Sequence, residues 1–561
     1  MATQATTQPG TGESPAQISS HPWVAYILLM LGVLTTIFYI DILSLMVPMI
    51  RQDLDLSHGQ ASLSITILLV SSAATVVTTG QICDRIGPLK TYVIGGILMF
   101  AGILLVGFAW TSWPVLIGRI LQGMGVNGMV VPMMAMLNLL FPSGRVRMLA
   151  FGYFASAFGV GFIAAPLLGG ILMEYMTWRW GFMVMAPVCI VSVVGLMMFV
   201  RTPSHPGADK EIDVVGTILL ALGLGSLIYA LNEGGHYGWF TSRSGITILG
   251  WTWPLEISLT VVLLACSTAM LVLFWFHQRH KYKRGRRSLL EFELLLDRTF
   301  FAGLLVCMFF FGGGYAVTLI MPAFMQVVLG LDPIMMGLSM LSMGLGIACA
   351  GAMAMFIAER IGSKNSLTIG MLALAAGVGI TMPFVNVEST GLILGVPLFI
   401  FGAGFGLVYA KVNEVVLAQV PARKVGIGAA TLLGVRLLSA AIGAALLSIL
   451  LRHATEDFGR EFIQDNQVIS EESRERMLVL MTRTTTIRQD GMGVQGAPGT
   501  MLNPAGLSSR QKEVVTAIRG YHNSYSEATR LVGGVIVVLV VAGTAATLLI
   551  PDAPRPSSGD D

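Results

Sequence analysis

Few side chains in this sequence are placed to do chemistry, and the first is a lone acid. Asp41 lies in YIDILSLMVP, toward the far end of an apolar run over residues 23–50. An aspartate at the centre of a membrane-spanning helix costs about 2.5 to 3.5 kcal/mol on insertion scales, so it needs a function or a partner. The function would be uptake and release of a proton or another cation. The bland alternative is a carboxylate neutralised by a structural partner or wetted by headgroups. All eight histidines (His21, His58, His205, His236, His277, His280, His453, His522) fall outside the apolar runs. The side chain that usually titrates near neutral pH is therefore unavailable within them. Asp41 lies about 13 Å below the outer end of its run and Arg119 about 9 Å below the start of its own, at 1.5 Å per helical residue, so the two sit at similar depth. Low dielectric favours a protonated carboxyl and a nearby guanidinium favours the ionised form, so one pair made and broken swings proton affinity between two conformations. The other reading of Arg119 is a staple onto backbone carbonyls.

Three further groups form a candidate substrate or charge site: Gln122, Arg436 and Glu414. Arg436 falls near mid-depth of the run 425–451. Glu414 has Lys411 at i−3 near the end of the run 391–418, which reads as a self-paired, snorkelling couple. The run Phe309 to Tyr315 would line a cavity or face lipid. No Ser/His/Asp set, phosphate loop or metal-ligand spacing appears, so no enzyme is expected. The five cysteines stand singly, and neither a disulfide framework nor a metal site is implied. No cofactor is expected; the energy source would be the proton gradient.

The elements that must hold these groups follow from composition. With 54% hydrophobic and 12% charged residues, the chain belongs in a bilayer. It holds fourteen runs of about 20 apolar residues, too long for barrel strands, which predicts an all-α polytopic protein. Lys and Arg concentrate in alternate short loops. With the N-terminus inside, the inside loops carry Arg85, Lys90, Arg145, Arg147, Arg201, Lys210, Arg279, Lys281, Lys283, Arg284, Arg286, Arg287, Arg298, Arg360, Lys364, Arg423 and Lys424, against Arg51, Arg179 and Arg243 outside. This asymmetry predicts a multi-pass protein of the cell (inner or plasma) membrane with both termini cytoplasmic. The predicted organisation is a floppy tail over 1–22, six helices over 23–200, two intervening helices and a basic loop over 201–299, six helices over 300–550, and a tail over 551–561. An extracytoplasmic insertion spans 452–529, with polar helical stretches near 470–488 and 508–527; it leaves open a periplasmic or cell-envelope partner. The bilayer, protons and a small-molecule substrate are the other expected partners, with no nucleic acid.

An internal repeat organises the two halves. GQICDRIGPLKTYVIG and IAERIGSKNSLTIG align without gaps at a separation of 275, placing Asp84 on Glu359, Arg85 on Arg360 and Gly87 on Gly362. Parallel halves rocking about a central site would leave such a repeat, and the acid and base would act as a latch. Beside it stand three further patterns. Gly80, Asp84, Arg85 and Gly87 keep a G-x-L-A-D-R-x-G-R-K-x motif, with Lys90 one place late. LIGRILQGMGVNG carries Arg119, Gln122, Gly123 and Gly125 as R-x-x-Q-G-x-G. GYFASAFGVGFIAAPLLGG carries Gly152, Gly161, Pro166, Gly169 and Gly170, with Ala165 in place of one glycine. With TWRWGF at 177–182, these motifs resemble the major facilitator superfamily, in particular its fourteen-span drug:proton antiporter subfamily, over nearly the full length.

The resemblance implies two pseudo-symmetric six-helix bundles plus two intervening helices, with the first and fourth helices as neighbours. It also implies a proton-coupled exporter of amphipathic small molecules, with Asp41 and Arg119 in proton coupling and the fifth-helix glycines and Pro166 at a gate hinge. Export of a metabolite, lipid or siderophore is the alternative within transport; a membrane enzyme or receptor on the same scaffold is the alternative outside it.

Overall fold

The computed structural model describes residues 21–56, 58–141, 144–201, 213–242, 247–248, 251–284, 292–331, 333–418, 420–421, 425–466 and 509–550. Within the helices, the side chains of Asp41 and Pro166 and the surroundings of Gly170 lie outside that description. Among the described residues fourteen helices are long and apolar enough to cross a bilayer. They are α1 (Pro22–Asp53), α2 (His58–Ile86), α3 (Pro88–Gly107), α4 (Ser112–Leu140), α5 (Arg145–Tyr175), α6 (Trp178–Phe199), α7 (Val214–Tyr237), α8 (Leu259–Lys283), α9 (Arg298–Val327), α10 (Pro333–Ile361), α11 (Ser363–Thr381), α12 (Gly395–Ala418), α13 (Val425–Asp465) and α14 (Ser509–Thr547).

The first six pack as one bundle and the last six as another. In the first, α4 meets α2, α3 and α1, and α1 meets α5 and α6; in the second, α12 meets α10 and α11, and α14 meets α11, α13 and α9. The bundles touch chiefly along α5 with α10 and α2 with α13, and α12 also meets α5 and α13 also meets α4. The helix α7 lies on α2 and α13, and α8 packs on α7. Burial follows this order. The most apolar stretch of α4 is 83% buried and that of α8 only 17%, so α4 is interior and α8 presents its side chains to lipid.

Close helix approach in lipid relies on small residues, because apolar side chains gain little from leaving one oily medium for another. A Cβ on Gly128 of α4 would fall 2.5 Å from the Gly95 Cα of α3, so that crossing admits glycine alone.

Two helices run well past the bilayer. The 41 residues of α13 span about 60 Å at 1.5 Å each, twice a hydrocarbon core of roughly 30 Å. The polar stretch expected near 508–527 is continuous with the last span as the single helix α14, and Phe462 of α13 rests against its Gly520. The stretch 470–488 lies outside the described residues. Helices run on past their apolar stretches, so His58 belongs to α2, His236 to α7, His277 and His280 to α8, His453 to α13 and His522 to α14.

Asp213 caps α7, accepting from the Gly216 N–H at 3.0 Å. It also accepts from Gln278 Nε2 at 2.8 Å and bonds His277 Nε2 at 2.9 Å, with Lys281 Nζ at 3.3 Å, which ties α7 to the basic end of α8. Burial pushes its carboxyl up, but His277, Gln278, the Gly216 amide and Lys281 together hold it below the usual carboxylate range. A depressed folded pKa gives stability that is present above the unfolded value of about 3.9 and is lost as pH falls through the folded one. Asp213→Ala is expected to cost about 1 kcal/mol or more of stability at neutral pH and to flatten the loss of melting temperature of the detergent-purified protein below about pH 4. Identical acid melting profiles for the two proteins would exclude this role.

Candidate functional sites on the helix seams

Arg119 is 1% exposed, and its guanidinium donates to acceptors on α1, α2 and α4. Nη1 donates to the Tyr39 carbonyl of α1 at 2.8 Å and to Gln122 Oε1 at 2.9 Å, and Nε donates to the Ser64 carbonyl of α2 at 3.2 Å. The staple onto backbone carbonyls is thus present, and it fastens α4 to α1 two residues before Asp41. Gln122 lies against Gly102 of α3, which puts it inside the first bundle rather than on the seam between the two. Beside it, Asn127 of α4 donates to Thr75 Oγ1 of α2 at 3.0 Å, a buried polar contact with no motif to announce it.

The repeated turns have the same backbone. Gly87 precedes α3 at φ +89° and Gly362 precedes α11 at φ +86°, left-handed positions that glycine adopts without penalty. Their acids both reach the opposite bundle. Asp84 Oδ1 accepts from the Gly426 N–H at 2.8 Å and Oδ2 from the Ile427 N–H at 3.1 Å, satisfying the first turn of α13 as a capping residue would. Glycines make room for this: a Cβ on Gly426 would sit 2.3 Å from Asp84 Oδ1, and one on Gly80 would sit 2.6 Å from Ala430 Cβ. Glu359 Oε1 meets Arg145 Nε of α5 at 2.7 Å. Arg85 is half-buried, whereas Lys90 and Arg360 are exposed.

Along α5 the motif glycines face two different neighbours. A Cβ on Gly152 would fall 2.5 Å from the Gly351 carbonyl of α10, across the seam, and one on Gly161 would fall 2.9 Å from Ile37 of α1, within the bundle. Gly169 is buried. Two residues outside the motif extend the seam: Ser156 Oγ donates to the Ala348 carbonyl at 2.7 Å, and a Cβ on Gly159 would lie 2.8 Å from the Ala348 nitrogen.

In the second bundle Lys411 is fully buried and binds Glu414 Oε2 at 2.5 Å, while Ser363 Oγ donates to Glu414 Oε1 at 3.1 Å. The couple is self-paired but does not snorkel, because protein rather than lipid encloses it. Phe310 and Phe311 are buried as well, within a π-helical turn at Phe310–Gly314 that turns Phe311 over Arg436. The run is interior and not lipid-facing.

The sequence profile of the Major Facilitator Superfamily matches residues 29–444. The chain belongs to this superfamily. Among curated relatives it is 24% identical to the riboflavin transporter RibZ of Clostridioides difficile, over 76% of this chain and 87% of that one. It is 27% identical to MdtD of Yersinia pseudotuberculosis, a candidate multidrug resistance protein, over 70% and 81%. Among solved structures, the proton:xylose symporter XylE superposes with a TM-score of 0.55 at 13% identity, covering 95% of this chain and 96% of that one. A Major Facilitator Superfamily chain of this fold is a membrane transporter and not an enzyme.

One buried acid of this transporter escapes a reading by runs. Glu233 of α7 is 3% exposed and accepts from Thr66 Oγ1 of α2 at 2.6 Å. It lies in the last turns of α7, which runs to Tyr237, where the sequence is polar.

Proposed function

We propose that the protein is a proton-coupled exporter that moves amphipathic small molecules out of the cell in exchange for protons. The observation that carries this reading is the fastening of Arg119 to the Tyr39 carbonyl, which sets a buried guanidinium on the segment of α1 that bears Asp41. Proton uptake by the acid and release beside the cation would bias the bundles between two orientations. The likeness to MdtD supports a drug-type cargo. A single metabolite as cargo is the second reading, favoured by the likeness to a protein named a riboflavin transporter. The test is transport in reconstituted vesicles under an imposed pH gradient, over a panel of cationic dyes, anionic metabolites and lipids. Accumulation that persists at the same level after an ionophore collapses the gradient would refute proton coupling.

The basic ends of the helices are taken to face the cytoplasm of a cell membrane, as the loop charges predict. Single cysteines at Gly285 and Gly496, both outside the described residues, should then be labelled by a membrane-impermeant thiol reagent from opposite sides, the first from within only. Labelling of both from one side would mean that an odd number of spans between them was miscounted. The segment 452–529 would stand outside the membrane, where an envelope partner could meet it.

A further inference from the structure

Arg436 of α13 is 4% exposed, and among the described residues no carboxylate pairs with it. Its Nη1 donates to Tyr409 Oη at 3.2 Å, its Nη2 to Asn413 Oδ1, and its Nε has no hydrogen-bond partner. The acid closest along α12, Glu414, is already held by Lys411. A guanidinium removed from water among neutral acceptors is poorly compensated, and an anion satisfies it better than an amide or a phenol does. The surroundings add a shape. The guanidinium carbon stands 4.7 Å from the Tyr409 ring centroid and 5.2 Å from that of Phe311. Tyr409 stacks in turn on Phe158 of α5 at 4.8 Å and 27°, and Phe158 on Phe405 at 5.7 Å and 16°. Phe158 belongs to the first bundle and the other rings to the second, so this stack crosses the seam that must part when the bundles rock. A flat ring can replace Phe158 against Tyr409 as the seam opens.

We infer that the cargo site of this transporter selects flat aromatic molecules bearing an acidic group, the ring entering between Phe158 and Tyr409 and the anion taking Arg436 Nε. The inference rests on the exporter reading for its purpose, but its test needs no gradient. Equilibrium binding to the purified protein in lipid nanodiscs is followed by fluorescence anisotropy with two xanthene dyes of similar ring shape, anionic fluorescein and cationic rhodamine 123. Wild type is expected to bind fluorescein about tenfold or more tightly than rhodamine 123. Arg436→Gln is expected to weaken fluorescein binding by about 10- to 100-fold, the range for a lost hydrogen bond to a charged group, and rhodamine 123 by less than about threefold. Arg436→Lys, which keeps the charge without the planar fork, should fall between. Phe158→Leu should weaken both dyes.

Equal or tighter binding of the cationic dye by wild type overturns the inference whether or not any variant folds. Unchanged fluorescein affinity in Arg436→Gln that melts like wild type also overturns it. If the dye preference holds but a pH gradient drives no transport, the exporter reading fails alone. If a pH gradient drives cationic dyes and the preference is absent, this inference fails alone.

Discussion

Vesicles carrying Asp41→Asn are expected to lose concentrative, pH-driven export while still binding substrate. The amide imitates the protonated acid in shape and charge, so the site and its helix stay intact while the proton cycle stops. Where one proton exchanges for one cargo molecule, each pH unit stores about 1.4 kcal/mol and supports about tenfold accumulation; the variant should only equilibrate its cargo, a ratio near 1. The result is read from the internal to external cargo ratio at two imposed gradients, with binding measured in parallel. Asp41→Asn vesicles that accumulate cargo against its gradient at the wild-type rate would mean that the proton travels elsewhere. Glu233 would be the next acid to test, since it is buried at the contact of α7 with α2.

Asp84→Lys is expected to impair transport far more than Glu359→Lys, although the two acids are equivalent in the repeat. Asp84 accepts two backbone N–H groups from the first turn of α13, where the helix dipole already favours negative charge. Each such charge-assisted bond contributes about 1.5 to 3 kcal/mol. The replacement removes both and sets a cation against the positive end of the helix, so the closed contact between α2 and α13 should weaken by roughly 3 kcal/mol or more. That shifts a two-state equilibrium by about two orders of magnitude. The Glu359 pair is different: its side chains are 31% exposed on the acid and 66% on Arg145, and such exposed pairs contribute about 0 to 1 kcal/mol. Transport rate and modification of a cysteine beside Gly426 by a membrane-impermeant thiol reagent are the two measurements. Wild-type transport by Asp84→Lys would remove the latch, and equal damage from both substitutions would remove the argument from burial.

Much of this architecture is determined by the sequence alone. Apolar runs of bilayer length admit only helices, and the acid-base-glycine turn repeated 275 residues apart marks two halves. Even the backbone of that turn is implied, since a glycine after Asp-Arg-Ile or Glu-Arg-Ile permits the left-handed φ seen at both Gly87 and Gly362. What only the tertiary structure decided is who meets whom. Asp84 finds its amides 342 and 343 residues away, Glu359 meets a base in the other half, Lys411 is enclosed by protein, and Arg436 stands among rings from α9 and α12, one of which stacks on α5. In a soluble helix the apolar stripe tells which face is buried. Here lipid-facing and protein-facing positions draw on the same apolar residues, so periodicity names no inner face, and the partners of each polar group emerge only when the helices are packed.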